Sequence, residues 1–193
     1  MIQFKNIPAL LILDVQQGFD DPYWGERNNP EAEHNISRLL DVWRRLGWQV
    51  IYSQHLSLQP QSPLYYKHAA GIEFKKRIAP LAGESVFTKN VNSAFIGTSL
   101  EVYLNEKNIQ TLVITGLATQ HCVSTTTRMS KNLGFNNYLV WDASAAFEIT
   151  DHRKVRFSPE AVHEAEMAAL HNEFATITYT EDILQAALSD GQA

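Results

Sequence analysis

The stretch TLVITGLATQHCV, residues 111–123, joins an apolar run to the start of a predicted helix. Its first part, 111–115, is short, rich in β-branched residues and ended by Gly116, which is typical of a buried β-strand. Residues 123–133 are predicted to form a helix. A buried strand followed at once by a helix is the repeating unit of an α/β fold. The only cysteine of the chain, Cys122, falls where the two meet.

The same alternation of strand and helix continues along the chain. Strands are predicted at 9–15, 48–53, 85–88, 111–115, 137–141 and 175–179. Helices are predicted at 31–46, 99–106, 123–133, 159–172 and 181–188. This order implies a mostly parallel sheet with helices on both faces. No linker or repeat divides the chain, so we predict one α/β domain over residues 1–193.

Composition limits the class of protein. With 193 residues, 45% of them hydrophobic, the chain is long enough to form a full core. A net charge of −5 argues against binding to nucleic acid or to an anionic membrane surface. No apolar run approaches the ~18 residues of a transmembrane helix. A lone cysteine forms no internal disulfide, so we expect a protein of the reducing cytoplasm.

Three reactive side chains, Asp14, Lys89 and Cys122, stand at the ends of predicted strands. Ligands of open α/β sheets bind beyond these carboxyl ends. The first turn of a helix stabilises a thiolate, an aspartate can accept the thiol proton, and a lysine ammonium favours the thiolate. Each residue also has an ordinary structural explanation without catalysis. Asp14 could cap a loop, Lys89 could reach solvent, and Cys122 could be a buried apolar side chain. Their common edge of the sheet favours a catalytic site.

The neighbouring histidine, His121, is not predicted to be the base. Adjacent residues on a helix point about 100° apart, so we expect His121 to point away from the thiol. No histidines have the spacing of metal ligands, and no glycine-rich phosphate loop is present, so we predict neither a metal nor a cofactor. The long irregular segment 55–80 is expected to serve function. By position alone, a small-molecule substrate is expected to contact Phe19, Trp24, His55, Asn92 and Phe95.

Three motifs resemble those of the isochorismatase-like cysteine hydrolase family. They are LILDVQ at 11–16, TK at 88–89 with SAF at 93–95, and TGLATQHCV at 115–123. They follow the family's order and spacing, and the resemblance extends over about residues 8–180. It implies a three-layer α-β-α fold with a six-stranded parallel sheet, and a homo-oligomer that is a dimer or a tetramer.

The resemblance also implies residue roles. It assigns Asp14, Lys89 and Cys122 to a catalytic triad, and the backbone N–H groups of Ala118 and Cys122 to an oxyanion hole. It places a cis peptide bond between Leu117 and Ala118. Members with the cysteine hydrolyse C–N bonds of small amides, so it implies cleavage of an amide, carbamoyl or ureido bond through a thioester.

Two other functions stay open. One is vinyl-ether hydrolysis, as in the isochorismatases proper, although those enzymes lack the cysteine. The other is a non-catalytic binding protein in which Cys122 is a redox-sensitive thiol. A metal-dependent nicotinamidase is disfavoured, because such enzymes carry Asp-x-His after the second strand and YSQHLS at 52–57 lacks that acid.

Overall fold

The apolar runs of the sequence form a parallel sheet in a computed structural model that describes residues 2–190. The strands are β1 (Ala9–Leu13), β2 (Val50–His55), β3 (Ser85–Lys89), β4 (Thr111–Leu117), β5 (Asn136–Ala145), β6 (Ile149–Thr150), β7 (Arg156–Phe157) and β8 (Thr176–Thr178). Six of them make the central sheet in the order β3-β2-β1-β4-β5-β8, and every neighbouring pair is parallel. Strands β6 and β7 pair with each other as an antiparallel hairpin.

Helices cover both faces of the sheet. They are α1 (Ala32–Leu46), α2 (Ala69–Ile72), α3 (Leu100–Glu106), α4 (Ser124–Asn132), α5 (Pro159–Leu170) and α6 (Thr180–Asp190). Side chains of β1 alternate between the two faces, as strand geometry requires. Leu10 and Ile12 pack in one core cluster with residues of α1 and α6, and Leu11 and Leu13 pack in another with residues of α3 and α5. The predicted three-layer fold with a six-stranded parallel sheet is therefore confirmed.

The order in which successive strands are added to the sheet reverses between β1 and β4. From β1, one half continues through β2 to β3, and the other continues through β4 to β5 and β8. Connections leave such a switch point in opposite directions, which opens a crevice beyond the carboxyl ends of the two strands. The residues that follow β1 and β4 in sequence include Asp14 and Cys122.

Some boundaries differ from those predicted. Strand β5 continues to Ala145, because a register shift after Ile114 lets Ser144 and Ala145 pair with Gly116 and Leu117. The segment 55–80 is not wholly irregular, since it contains α2 and a 3-10 turn at Lys76–Ile78. Of the predicted domain 1–193, residues 1 and 191–193 lie outside the described residues. Across 2–190, no helix is both long enough and apolar enough to span a membrane.

Candidate active site

Asp14 is the first residue after β1 and its side chain is fully buried. Its φ of 55° lies in the left-handed region, which aspartate tolerates better than most residues. One carboxylate oxygen, Oδ1, accepts a hydrogen bond from Ser53 Oγ at 2.6 Å. The other, Oδ2, accepts one from Lys89 Nζ at 2.5 Å. The residue that follows β1 and one residue each from β2 and β3 thus contribute the side chains of this contact.

Lys89, the last residue of β3, also has a fully buried side chain. Its three ammonium hydrogens have three partners within reach, which are Asp14 Oδ2, Cys122 Sγ at 3.2 Å and His55 Nδ1 at 3.2 Å. Burial opposes the charge, but Asp14 and Cys122 outweigh it and raise the pKa of Lys89. Burial and the nearby Lys89 ammonium lower the pKa of His55, so the neutral ring accepts at Nδ1. Lys89 is therefore an internal cation and does not reach solvent.

Cys122 lies in a π-helical turn, Thr119–Val123, between β4 and α4. The end of β4, just before this turn, comes close to β1 because residue 116 is glycine, where a Cβ atom would lie 2.1 Å from the Leu13 carbonyl oxygen. Burial, followed by the charge of Asp14, raises the pKa of the Cys122 thiol, and Lys89 offsets this only in part. The resting thiol is therefore protonated. This differs from the expected thiolate, because desolvation and the charge of Asp14 together outweigh the cation.

The peptide bond between Leu117 and Ala118 is cis. The Ala118 carbonyl accepts hydrogen bonds from the N–H groups of His121 at 3.0 Å and Val123 at 3.3 Å, which closes the turn. Within residues 2–190, the Ala118 N–H donates to no protein acceptor. Ala118 directly precedes the turn that carries Cys122, so its free N–H is suitably placed to donate to a developing oxyanion.

A buried histidine that the sequence analysis did not single out, His163 of α5, supports this turn. Its Nδ1 lies 2.9 Å from Thr119 Oγ1, and its Nε2 lies 3.0 Å from the Trp141 carbonyl oxygen. Burial lowers the pKa of His163 to about 4, so the ring is neutral. Nε2–H therefore donates to Trp141, and Nδ1 accepts from the Thr119 hydroxyl. No motif around residue 163 signals this contact, which depends on how α5 packs against the turn.

A cavity of about 330 Å³ lies over the Cys122 sulfur. Four of the residues expected at the substrate line it, namely Phe19, Trp24, His55 and Asn92. Sequence reasoning missed other lining residues, which are Tyr23, Ser57, Gln59, Ser62, Leu64 and His121. Four of these belong to the segment 55–80. The unusual length of that segment was the one sequence signal that could have indicated them as cavity residues. The π-helical turn brings His121 to the cavity, although the expectation from ideal helix geometry was that it points away.

Phe95 lies elsewhere, and its assignment as a substrate contact is wrong. Its ring is buried in the core with Leu100 and Leu104, and it stacks on Phe135 with centroids 5.9 Å apart. The preceding residue, Ala94, is held to α4 by a hydrogen bond from its N–H to Thr126 Oγ1 at 3.0 Å. The chain after Lys89 therefore turns from the cavity toward the core before it reaches residue 95.

The site does not fit a metal ion. Ligand atoms of Asp14, His55 and Cys122 lie within 4.8 Å of one another, as in a metal cluster. The Lys89 ammonium contacts all three of them, so a cation already occupies the position that the three donors share. A divalent ion there would have to displace a fully buried ammonium that has all its hydrogen bonds.

Comparison with known proteins identifies similar chains. A family model, the isochorismatase domain, matches residues 8–182, which include the whole sheet. The isochorismatase family protein YrdC of Bacillus subtilis is 51% identical over 176 residues, 91% of this chain and 94% of that protein. N-carbamoylsarcosine amidase of Arthrobacter sp is 46% identical over 153 residues, 69% of this chain and 58% of that protein. A solved isochorismatase-family structure from Chromobacterium violaceum has a TM-score of 0.93 at 39% identity, with 97% of both chains covered.

Proposed function

Because the chain belongs to the isochorismatase family of hydrolases, we propose that it cleaves a C–N bond of a small amide, carbamoyl or ureido compound through a thioester on Cys122. One observation carries the proposal. Lys89 Nζ donates both to Asp14 Oδ2 and to Cys122 Sγ, so acid, cation and thiol meet beside a cavity of small-molecule size. The similarity to an amidase supports the C–N bond as the one that breaks.

The first step forms the bond to sulfur. The Asp14 carboxylate takes the proton of the Cys122 thiol, while Lys89 stays charged and holds both groups in place. The sulfur then attacks the substrate carbonyl carbon, and the electron pair of the C=O π bond moves to oxygen. In this proposal the N–H groups of Ala118 and Cys122 donate to that oxyanion. Because the resting thiol is neutral, proton transfer accompanies substrate binding and attack.

The second step breaks the C–N bond. Protonated Asp14 gives its proton to the departing nitrogen, so ammonia or an amine leaves and a thioester remains. Water then attacks the thioester carbonyl as Asp14 accepts one of its protons. The C–S bond breaks, the acid product leaves, and Asp14 returns the proton to the Cys122 sulfur. Atoms and charges balance, and Lys89 transfers no proton in the cycle.

The test uses Cys122→Ala and Cys122→Ser with ammonia release from a panel of small amides. We expect both variants to lose hydrolysis, and we expect intact-mass spectrometry of the wild-type protein to show an acyl adduct on residue 122. Unchanged hydrolysis by Cys122→Ala would contradict the proposal. Release of pyruvate from a vinyl ether would favour ether hydrolysis, and a thiol that is oxidised reversibly without any hydrolysis would favour the redox-sensitive binding protein.

We also propose that the chain assembles into a homodimer or homotetramer. A second groove, of about 270 Å³, includes the exposed apolar side chains of Leu58, Tyr66 and Ile96. Exposed apolar patches of this kind are typical of protein contacts. Multi-angle light scattering measures the assembly mass, and a monomer at working concentration would contradict this expectation.

A further inference from the structure

Apart from the buried Asp14–Lys89 pair that contacts Cys122, the catalytic cavity is lined without ionised side chains. Among the described residues, its lining includes no Asp, Glu, Lys or Arg, and its polar members are amides, hydroxyls and two histidines. The nearest cation, Lys89, has its ammonium hydrogens directed at Asp14, His55 and Cys122. It therefore has no hydrogen left to bind a charged group of the substrate.

The two histidines do not supply a positive charge either. His55 accepts a hydrogen bond from the Lys89 ammonium at 3.2 Å. Protonation of His55 Nδ1 would therefore place two positive charges at that distance from each other. Burial of part of the ring lowers the pKa of His121, and the nearby Glu166 offsets this only in part. Near neutral pH the cavity therefore presents neutral imidazoles.

One wall of the cavity is aromatic and apolar. The rings of Phe19 and Trp24 lie with centroids 4.9 Å apart, and Phe147 stacks behind Phe19 at 5.7 Å. The indole N–H of Trp24 donates to the Gly18 carbonyl at 2.8 Å, so it is not available to a ligand. The wall therefore offers ring surface and no hydrogen-bond donor from Trp24. Aromatic surface of this kind favours a flat ring stacked against it.

We infer that the substrate is an uncharged amide with a flat, apolar acyl group, and that amides carrying a carboxylate are rejected. The inference rests on the proposed function and adds the substrate class. A carboxylate that packs against this lining gives up part of its hydration and gains no cation in return, which costs binding free energy. A flat uncharged acyl group loses little hydration and covers Phe19 and Trp24.

The first test compares two amides of nearly the same shape. In 4-nitrobenzamide and 4-carboxybenzamide the substituents are both planar, with two oxygens, but only the carboxylate is charged. We expect kcat/KM for the nitro compound to be at least tenfold higher, beyond the factor by which its stronger electron withdrawal speeds uncatalysed alkaline hydrolysis. We also expect benzamide to exceed cyclohexanecarboxamide, and Trp24→Leu to reduce that preference. Equal or higher kcat/KM for the carboxylate would overturn the inference.

A second test adds the missing charge at Gln59, an exposed residue of the cavity lining. We expect Gln59→Arg to shift the kcat/KM ratio toward 4-carboxybenzamide by at least tenfold. Gln59→Met, which has similar length and no charge, is the matched control and should leave the ratio near that of the wild-type protein. If the arginine does not change the ratio, charge is not what excludes the carboxylate.

Binding to Cys122→Ala separates this inference from the proposed chemistry. Calorimetry with that variant measures recognition without catalysis. If the wild-type protein hydrolyses no probe but Cys122→Ala binds 4-nitrobenzamide at least tenfold more tightly than 4-carboxybenzamide, the substrate class is supported and the chemistry fails. If hydrolysis needs Cys122 but favours the carboxylate, the chemistry is supported and the substrate class fails. If no aromatic amide binds or reacts, the substrate class is overturned.

Discussion

Lys89 Nζ donates a hydrogen bond to Asp14 Oδ2 at 2.5 Å, and neither side chain exposes any surface to solvent. Removal of one member of such a pair leaves an uncompensated charge inside the protein, which costs about 3–5 kcal/mol. Asp14 directly follows β1 and Lys89 ends β3, and β2 lies between these two strands. We therefore expect the pair to affect both the stability of the sheet and the chemistry proposed for its edge.

The first prediction concerns this pair. We expect Lys89→Met to lower the free energy of unfolding by about 3–5 kcal/mol and to abolish hydrolysis, because Asp14 then carries a buried charge with no cation beside it. Urea denaturation measures the stability. The double variant Lys89→Met with Asp14→Asn removes both charges, so it should recover much of the stability and none of the activity. A single variant as stable as the wild-type protein would contradict the prediction.

The second prediction separates the acidity of the thiol from catalysis. Because Asp14 raises the pKa of Cys122, Asp14→Asn should lower that pKa and speed alkylation by iodoacetamide at pH 8. Hydrolysis should nevertheless fall, because the base is gone. Alkylation rates between pH 6 and 10, measured beside ammonia release, test both effects.

Lys89→Met is the matched control for that experiment. Lys89 lowers the pKa of Cys122, so its loss should raise the pKa and slow alkylation at pH 8. Both variants disturb the same buried pair, so exposure of the thiol by partial unfolding would speed alkylation in both. Opposite changes in the two variants would show that charge controls the thiol, and changes of the same sign would contradict this account.

The third prediction is a pH dependence of stability that comes from His163. An unfolded histidine has a pKa of 6.5, and burial lowers the pKa of His163 to about 4. Below pH 6.5 the unfolded chain binds a proton that the folded protein does not. The contribution of neutral His163 to the free energy of unfolding is therefore fully present above pH 6.5. It is lost as the pH falls to about 4, by at most about 3 kcal/mol.

His163→Gln should remove this part of the pH dependence. Urea denaturation at a series of pH values between 4 and 8 measures the slope for the variant and for the wild-type protein. His152→Gln, at an exposed histidine, is the control and should retain the wild-type slope. Equal slopes for His163→Gln and the wild-type protein would contradict the assignment.

The fourth prediction concerns the hydroxyl of Thr119, which donates to His163 and lies next to Ala118 in the turn. Thr119→Val keeps the shape and removes the donor, so the turn loses one anchor. We expect kcat to fall by about 10- to 100-fold, because a small displacement of the oxyanion donors weakens transition-state stabilisation. KM should change little, since Thr119 does not line the cavity.

Alkylation of Cys122 distinguishes this role from general damage to the site. In Thr119→Val the thiol keeps its contacts with Asp14 and Lys89, so its alkylation profile should match that of the wild-type protein. Thr125→Val, on the next turn of the chain, should leave kcat unchanged. A large rise in KM with unchanged kcat would show that Thr119 acts on substrate binding instead.

Much of the architecture is predictable from local patterns. Five consecutive apolar residues in β1 are typical of a sheet covered on both faces, and Gly116 lies one residue before the end of β4, where the chain turns into a helix. The end of β5 was not predictable, because it depends on a register shift against β4. Phe95 was misassigned for a similar reason, since only packing against Phe135 decides which way its ring points.

Local patterns in the sequence are enough to give the fold class and to single out Asp14, Lys89 and Cys122 as candidate reactive residues, because strand periodicity and position at strand ends are local properties. Tertiary structure decided their state. Burial and mutual contact make Lys89 an internal cation, leave the Cys122 thiol protonated and place His163 behind the turn. The desolvation and charges that set a pKa come from residues far apart in the chain, such as Asp14 and Cys122, and folding brings them together.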